Sequence, residues 1–110
     1  MRLNFFFILI ILVLFSIPLT SQERGTKSFV IFGGNFGDVQ FPHYLHQDSL
    51  KNCNLCHNLF PQVSGSILKL KSEGKLKLKI VMRQCIRCHK DKKSVGVKSG
   101  PIKCKDCHKK

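Results

Sequence analysis

The chain has 110 residues, with 19 Lys and Arg against 6 Asp and Glu, a formal net charge of +13 and no tryptophan. This length allows one small domain plus a leader, and so short a polypeptide buries too little apolar surface to build a large core by itself. The strongly basic balance points to acidic partners and makes their encounter sensitive to salt.

Met1 and Arg2 form a positive n-region. Phe5 to Ile17 is then a thirteen-residue apolar run broken only by Ser16, the length of a signal h-region and too short for a comfortable membrane span. Small polar residues follow at Thr20 and Ser21, which predicts a signal peptide over residues 1–21. Leu19 suits the approach to a cleavage point poorly, so an uncleaved N-terminal anchor is the alternative. Either way residues 22–110, the predicted domain, are exported to the periplasm, which excludes nucleic acid as a partner despite the charge. Membrane contact is expected only if the leader stays in place.

After a polar lead-in, Ser28 to Phe32 is β-branched and aromatic, and the run Gly33-Gly34-Asn35-Phe36-Gly37 separates it from a second short stretch, Asp38 to Phe41. The two predict a β-hairpin around a glycine-permitted loop. Pro42 suits the start of a helix, with His43, Tyr44, Leu45 and His46 in its first turns. Histidines three apart leave neighbouring positions on one helix face, from which two imidazoles can diverge toward two different metal centres.

Next comes Cys53-Asn54-Leu55-Cys56-His57, a pattern that returns as Cys85-Ile86-Arg87-Cys88-His89 and as Cys104-Lys105-Asp106-Cys107-His108. Between the first and second copies, Pro61 to Ser66 is a loop, and Ile67 to Val81 alternates leucine with lysine at period two around a turn at Ser72-Glu73-Gly74. That alternation predicts an amphipathic β-hairpin with leucines inward and a solvated lysine row. The cluster Lys90, Lys92 and Lys93 is likewise expected in solvent, and Gly96, Gly100 and Pro101 mark a loop before the last copy.

Cys-x-x-Cys-His is the attachment signature of c-type haem. Two thiols one helical turn apart reach the two vinyl groups on one porphyrin edge, and the adjoining imidazole is delivered to the iron. Cys53, Cys56, Cys85, Cys88, Cys104 and Cys107 are all consumed in three pairs, and none is left over. A redox dithiol, zinc and disulfides are the alternatives. The repeated His argues against them, and closed zinc sites take four ligands and usually join two such knuckles, a number that three copies divide into poorly. Three covalently bound haems among 89 exported residues would supply most of the core, so the chain without them should be largely unfolded. With two ionised propionates each, three ferric haems still leave the exported protein at about +9.

Three irons with two axial ligands each need six. His57, His89 and His108 are proximal, and His43 and His46 are the only other histidines. Met82, three residues before Cys85, is the sole methionine outside the leader and the available sixth ligand, at the third haem; a gap-filling methionine, with lysine, water or nothing at that iron, is the alternative. Methionine opposite histidine raises the reduction potential, so the third haem should be the most easily reduced.

The segment Gly37-Asp38-Val39-Gln40-Phe41-Pro42-His43-Tyr44-Leu45-His46-Gln47, the three attachment motifs and the ending Gly100-Pro101-Ile102-Lys103-Cys104-Lys105-Asp106-Cys107-His108-Lys109-Lys110 together resemble the three-haem class III cytochromes c, the cytochrome c7 type. The resemblance covers roughly residues 28–110. It implies a small α+β multihaem cytochrome in which an N-terminal β-hairpin, short helices and loops wrap three closely packed haems. By position it pairs His43 with His57 on the first haem and His46 with His89 on the second. The family's usual histidine shortly before the second motif is replaced here by Val81 and Met82, which leaves Met82 with His108 on the third. The stretch before that motif is also longer than usual. The resulting expectation is a monomeric periplasmic electron carrier steered toward acidic redox-partner proteins. An enzyme with an open third iron (a reductase or peroxidase) and a membrane-attached relay subunit of a respiratory complex are the alternatives.

Overall fold

The computed structural model describes residue 25 and residues 27–110, so the predicted leader and its cleavage point lie outside the described residues. The hairpin forms as two antiparallel strands, β1 (Phe29–Ile31) and β2 (Asp38–Phe41), in the register Phe29 opposite Phe41 and Ile31 opposite Val39. Along β2, Val39 and Phe41 are half-buried while Asp38 and Gln40 face solvent, the period-two pattern of a one-sided strand. Phe29 and Phe41 lie 5.2 Å apart between ring centres, a cross-strand aromatic pair of the sort that fixes register. The turn between the strands is a single 3₁₀ turn, Gly34–Phe36, closed by the Gly37 amide on the Gly34 carbonyl and by the Gly33 amide on the Asp38 carboxylate.

A third strand, β3 (His108–Lys109), pairs with the other edge of β2, placing Val39 opposite His108 and Asp38 opposite Lys109. The sheet order is therefore β1-β2-β3. Two residues from the end of the chain are thus built into the N-terminal hairpin.

Helix α1 (His43–Leu50) begins directly after Pro42. Its early Tyr44 amide, which has no partner within the helix, donates to the Lys27 carbonyl at 2.9 Å and ties the strand lead-in to the helix. The first and third attachment motifs each form one short helix, α2 (Asn54–His57) and α5 (Cys104–Cys107).

The expected hairpin over Ile67 to Val81 does not form. Ser66–Ser72 is helix α3, and Ile80 and Val81 open the fifteen-residue helix α4 (Ile80–Ser94), which carries the whole second motif. Leu and Lys rank among the better helix formers, and only Ile67, Ile80 and Val81 in this stretch are β-branched. Burial follows the helical period: Ile67 and Leu70, three apart, are half-buried, while Leu68, which a strand would place beside Leu70, is exposed. The expected turn is real but ends a helix. The Gly74 amide donates to Lys71 and the Lys75 amide to Leu70, with Gly74 at φ +68°, a Schellman cap that glycine accommodates without cost. α4 closes the same way at Gly96 and Val97, and Lys92 and Lys93 in its last turn complement the helix dipole.

Among the described residues no apolar side chain is buried, and the one buried polar residue is Ser66, whose hydroxyl donates to the Pro61 carbonyl. The described residues therefore enclose no hydrophobic core of polypeptide alone. Among the described residues no helix is long and apolar enough to cross a membrane.

Candidate functional site

Each attachment motif presents its thiols from a helical turn, and all six cysteines are free of disulfides. The Cys85 thiol is pushed up to about 11, chiefly by burial and then by the charges of Cys56 and Cys107. Cys56 is also raised, by burial first and then by Cys88 and Cys53. Burial again leads in raising Cys107, with Asp106 and Cys104 adding to it and Lys109 opposing.

The histidines come together in pairs from separate segments. His43 at the start of α1 faces His57 at the end of α2 with ring centres 6.2 Å apart and planes at 84°. His46, one turn further along α1, faces His89 in α4 at 6.1 Å and 28°. Two imidazoles opposite each other on one metal, with bonds of about 2.0–2.1 Å and roughly 1.1 Å from nitrogen to ring centre, stand about 6.3 Å apart. Both pairs therefore have room for one iron each. Among the described residues no group of three or more His, Cys, Asp and Glu side chains converges; paired imidazoles suit a six-coordinate haem iron rather than a tetrahedral zinc.

Backbone carbonyls fix the orientation of four rings. His57 Nδ1 lies 3.1 Å from the Phe60 carbonyl, His89 Nδ1 2.7 Å from Pro101, His108 Nδ1 2.8 Å from Gly37, and His46 Nδ1 3.0 Å from Pro42. A carbonyl only accepts, so each Nδ1 carries the proton and donates, and each Nε2 keeps its lone pair for a metal. Such bonds also raise the basicity of the ligand.

These acceptors are the functional positions that sequence reasoning missed, because the bonds span 3, 12 and 71 residues for the three motif histidines. Glycine was the available signal. A Cβ on Gly100 would lie 2.5 Å from His89 Cε1, and one on Gly33 would lie 2.8 Å from His108 Nδ1. At Gly100 the imidazole of His89 leaves no room for a side chain; at Gly33 the Gly37 carbonyl is nearer still than the His108 ring, so backbone and imidazole together exclude one. Phe41 is a second missed element: its ring stacks on His46 at 4.3 Å and lies 6.1 Å from His43, so one aromatic side chain of β2 touches a member of both histidine pairs.

His108 has no facing histidine; its neighbour is Phe36, with ring centres 6.2 Å apart. Met82 sits on α4 one turn before Cys85 and is 39% exposed. At 100° per residue, Met82, Cys85 and His89 share one face of that helix.

Comparison with known proteins agrees with this architecture. The family model for cytochrome c7 and related cytochrome c matches residues 39–109. A cytochrome c7 of Geobacter metallireducens is 38% identical over 79 residues, covering 72% of each chain. The solution structure of the triheme cytochrome PpcA from Geobacter sulfurreducens superposes with a TM-score of 0.52 at 31% identity, covering 77% of this chain and all of that one. A second structure from the triheme cytochrome family of the same organism gives 0.51 at 34%, with the same coverage. With three attachment motifs on helical turns and a family match over most of its length, the chain belongs to the cytochrome c7 family, and it is an electron carrier with three covalently bound c-type haems rather than an enzyme.

Proposed function

We propose that the protein is an exported, monomeric carrier that moves electrons between periplasmic redox partners with acidic docking faces. His43 and His57 hold the first iron, His46 and His89 the second, and His108 with Met82 the third. The observation that carries the ligand assignment is the pair of imidazole separations, 6.2 and 6.1 Å, each matching the span of one metal. For the third iron, support comes from the ligand count: Met82 is the sole methionine outside the leader, and His108 is the one motif histidine whose ring neighbour is Phe36 rather than a second histidine. Haem supplies the one-electron chemistry; the polypeptide contributes ligation, spacing and tuning.

Export is supported by the charged start and apolar run of residues 1–17, and acidic partners by the excess of lysine. The test is to follow electron exchange with an acidic redox protein by stopped flow across a salt series, alongside periplasmic fractionation and N-terminal sequencing. The expected outcome is a rate that falls steeply with ionic strength and a periplasmic protein beginning near residue 22. A salt-independent rate, or a cytoplasmic protein, would contradict the proposal.

A further inference from the structure

Among the described residues every basic side chain is lysine or histidine except two, Arg83 and Arg87. They stand one turn apart on α4, on the side away from Cys85 and His89. Together with Asn58, Leu59, Ile80 and Gln84 they line an open cleft of about 510 Å³. Gln84 ties the cleft together: its side-chain amide donates to the Leu55 carbonyl at 2.7 Å, joining α4 to the first motif, and its oxygen accepts from Arg87 Nη2 at 3.0 Å. Asn58 and Leu59 directly follow His57, so anything seated in the cleft sits beside the first haem's attachment helix.

The surrounding charge is one-sided. From Asn58 to Lys90 the chain holds six lysines and both arginines but a single acid, Glu73, which already pairs with Lys75 at 2.8 Å. Lys77 and Lys79 lead straight into the cleft wall at Ile80, and between them Leu78 is 82% exposed. Guanidinium forks match carboxylates two-pronged where ammonium groups serve as point charges, and Arg is enriched at the energetic centres of interfaces.

We infer that this cleft is the docking site for carboxylate side chains on an acidic redox-partner protein, with Arg83 and Arg87 as anchors and Lys77 and Lys79 as a steering rim. The inference rests on the carrier reading above and adds where the partner binds, namely between the first and second attachment motifs rather than at the third.

The test is an NMR titration of the holoprotein with a hexaglutamate peptide. The expected shifts centre on Asn58, Leu59, Ile80, Gln84 and the two arginines. The double variant Arg83→Gln/Arg87→Gln should weaken binding by about tenfold or more, and Arg83→Lys/Arg87→Lys should recover only part of it, whereas Lys98→Gln/Lys105→Gln, with the same loss of charge, should change it less than about threefold. Equal losses in the two glutamine doubles would overturn the inference by reducing the effect to net charge. So would unchanged peptide binding accompanied by a shifted first-haem potential, which would assign the arginines to haem propionates. Electron uptake per chain, measured on the same samples, reports on the carrier reading independently: a protein that takes up three electrons yet ignores the peptide contradicts the docking site alone.

Discussion

The rings of His43 and His57 stand nearly perpendicular, at 84°, whereas those of His46 and His89 are inclined by only 28° at almost the same separation. Imidazole planes decide how the iron d orbitals of π symmetry split. Crossed planes donate equally to both and leave them nearly degenerate; aligned planes separate them. On the proposed ligation by His43 with His57 and His46 with His89, the ferric protein is therefore expected to show two distinct low-spin electron paramagnetic resonance signals, one strongly anisotropic with a single dominant low-field feature and one ordinarily rhombic. Two superimposed rhombic spectra would show that the rings are not held as described.

Met82 carries the account of the third haem. Met82→Ala is expected to lower the highest of the three midpoint potentials by on the order of 100 mV, nearly two powers of ten in equilibrium constant at about 59 mV each, or to convert that haem to high spin. The other two midpoints should stay put. A redox titration with parallel spectra of the ferric state reads both quantities, and an unchanged highest midpoint on a low-spin haem would remove Met82 from the iron.

Two glycines separate ring positioning from simple backbone strain. Gly100→Ala drives a Cβ into the His89 ring and breaks its bond to the Pro101 carbonyl. Losing roughly 1 kcal/mol of that bond weakens donation to the second iron, so its midpoint should rise by roughly 40 mV at about 59 mV per tenfold. Gly74→Ala meets no atom within 4 Å but forces alanine to φ +68°. It should cost about 1 kcal/mol of stability, seen as a lower melting temperature, with all three midpoints unchanged. Equal behaviour of the two variants would argue against a positioning role for Gly100.

Much of this was legible in the chain because the decisive signals are local. The hairpin around the Gly33–Gly37 run, the helix opening after Pro42 and the helical turns of the three motifs each follow from a few adjacent residues. The leucine-lysine stretch misled because its alternation imitates a strand, whereas Leu and Lys are both good helix formers and β-branched residues stand only at its ends, so composition decides for helix; in α3 the half-buried residues are Ile67 and Leu70, three apart. What could not be read is what the chain joins over distance. The His108–Gly37 bond spans 71 residues and pulls a two-residue strand onto β2, too short to leave a periodicity of its own. The arginine cleft likewise exists only once α4 lies against the first motif.

The most direct test of the central claim, a polypeptide folded around three covalently held irons, is the intact mass of the exported protein combined with a pyridine haemochrome assay. Three haems per chain are expected, with every cysteine in thioether linkage and none open to alkylation. Two haems or fewer on fully matured protein, or a reactive pair of thiols among Cys53, Cys56, Cys85, Cys88, Cys104 and Cys107, would contradict it.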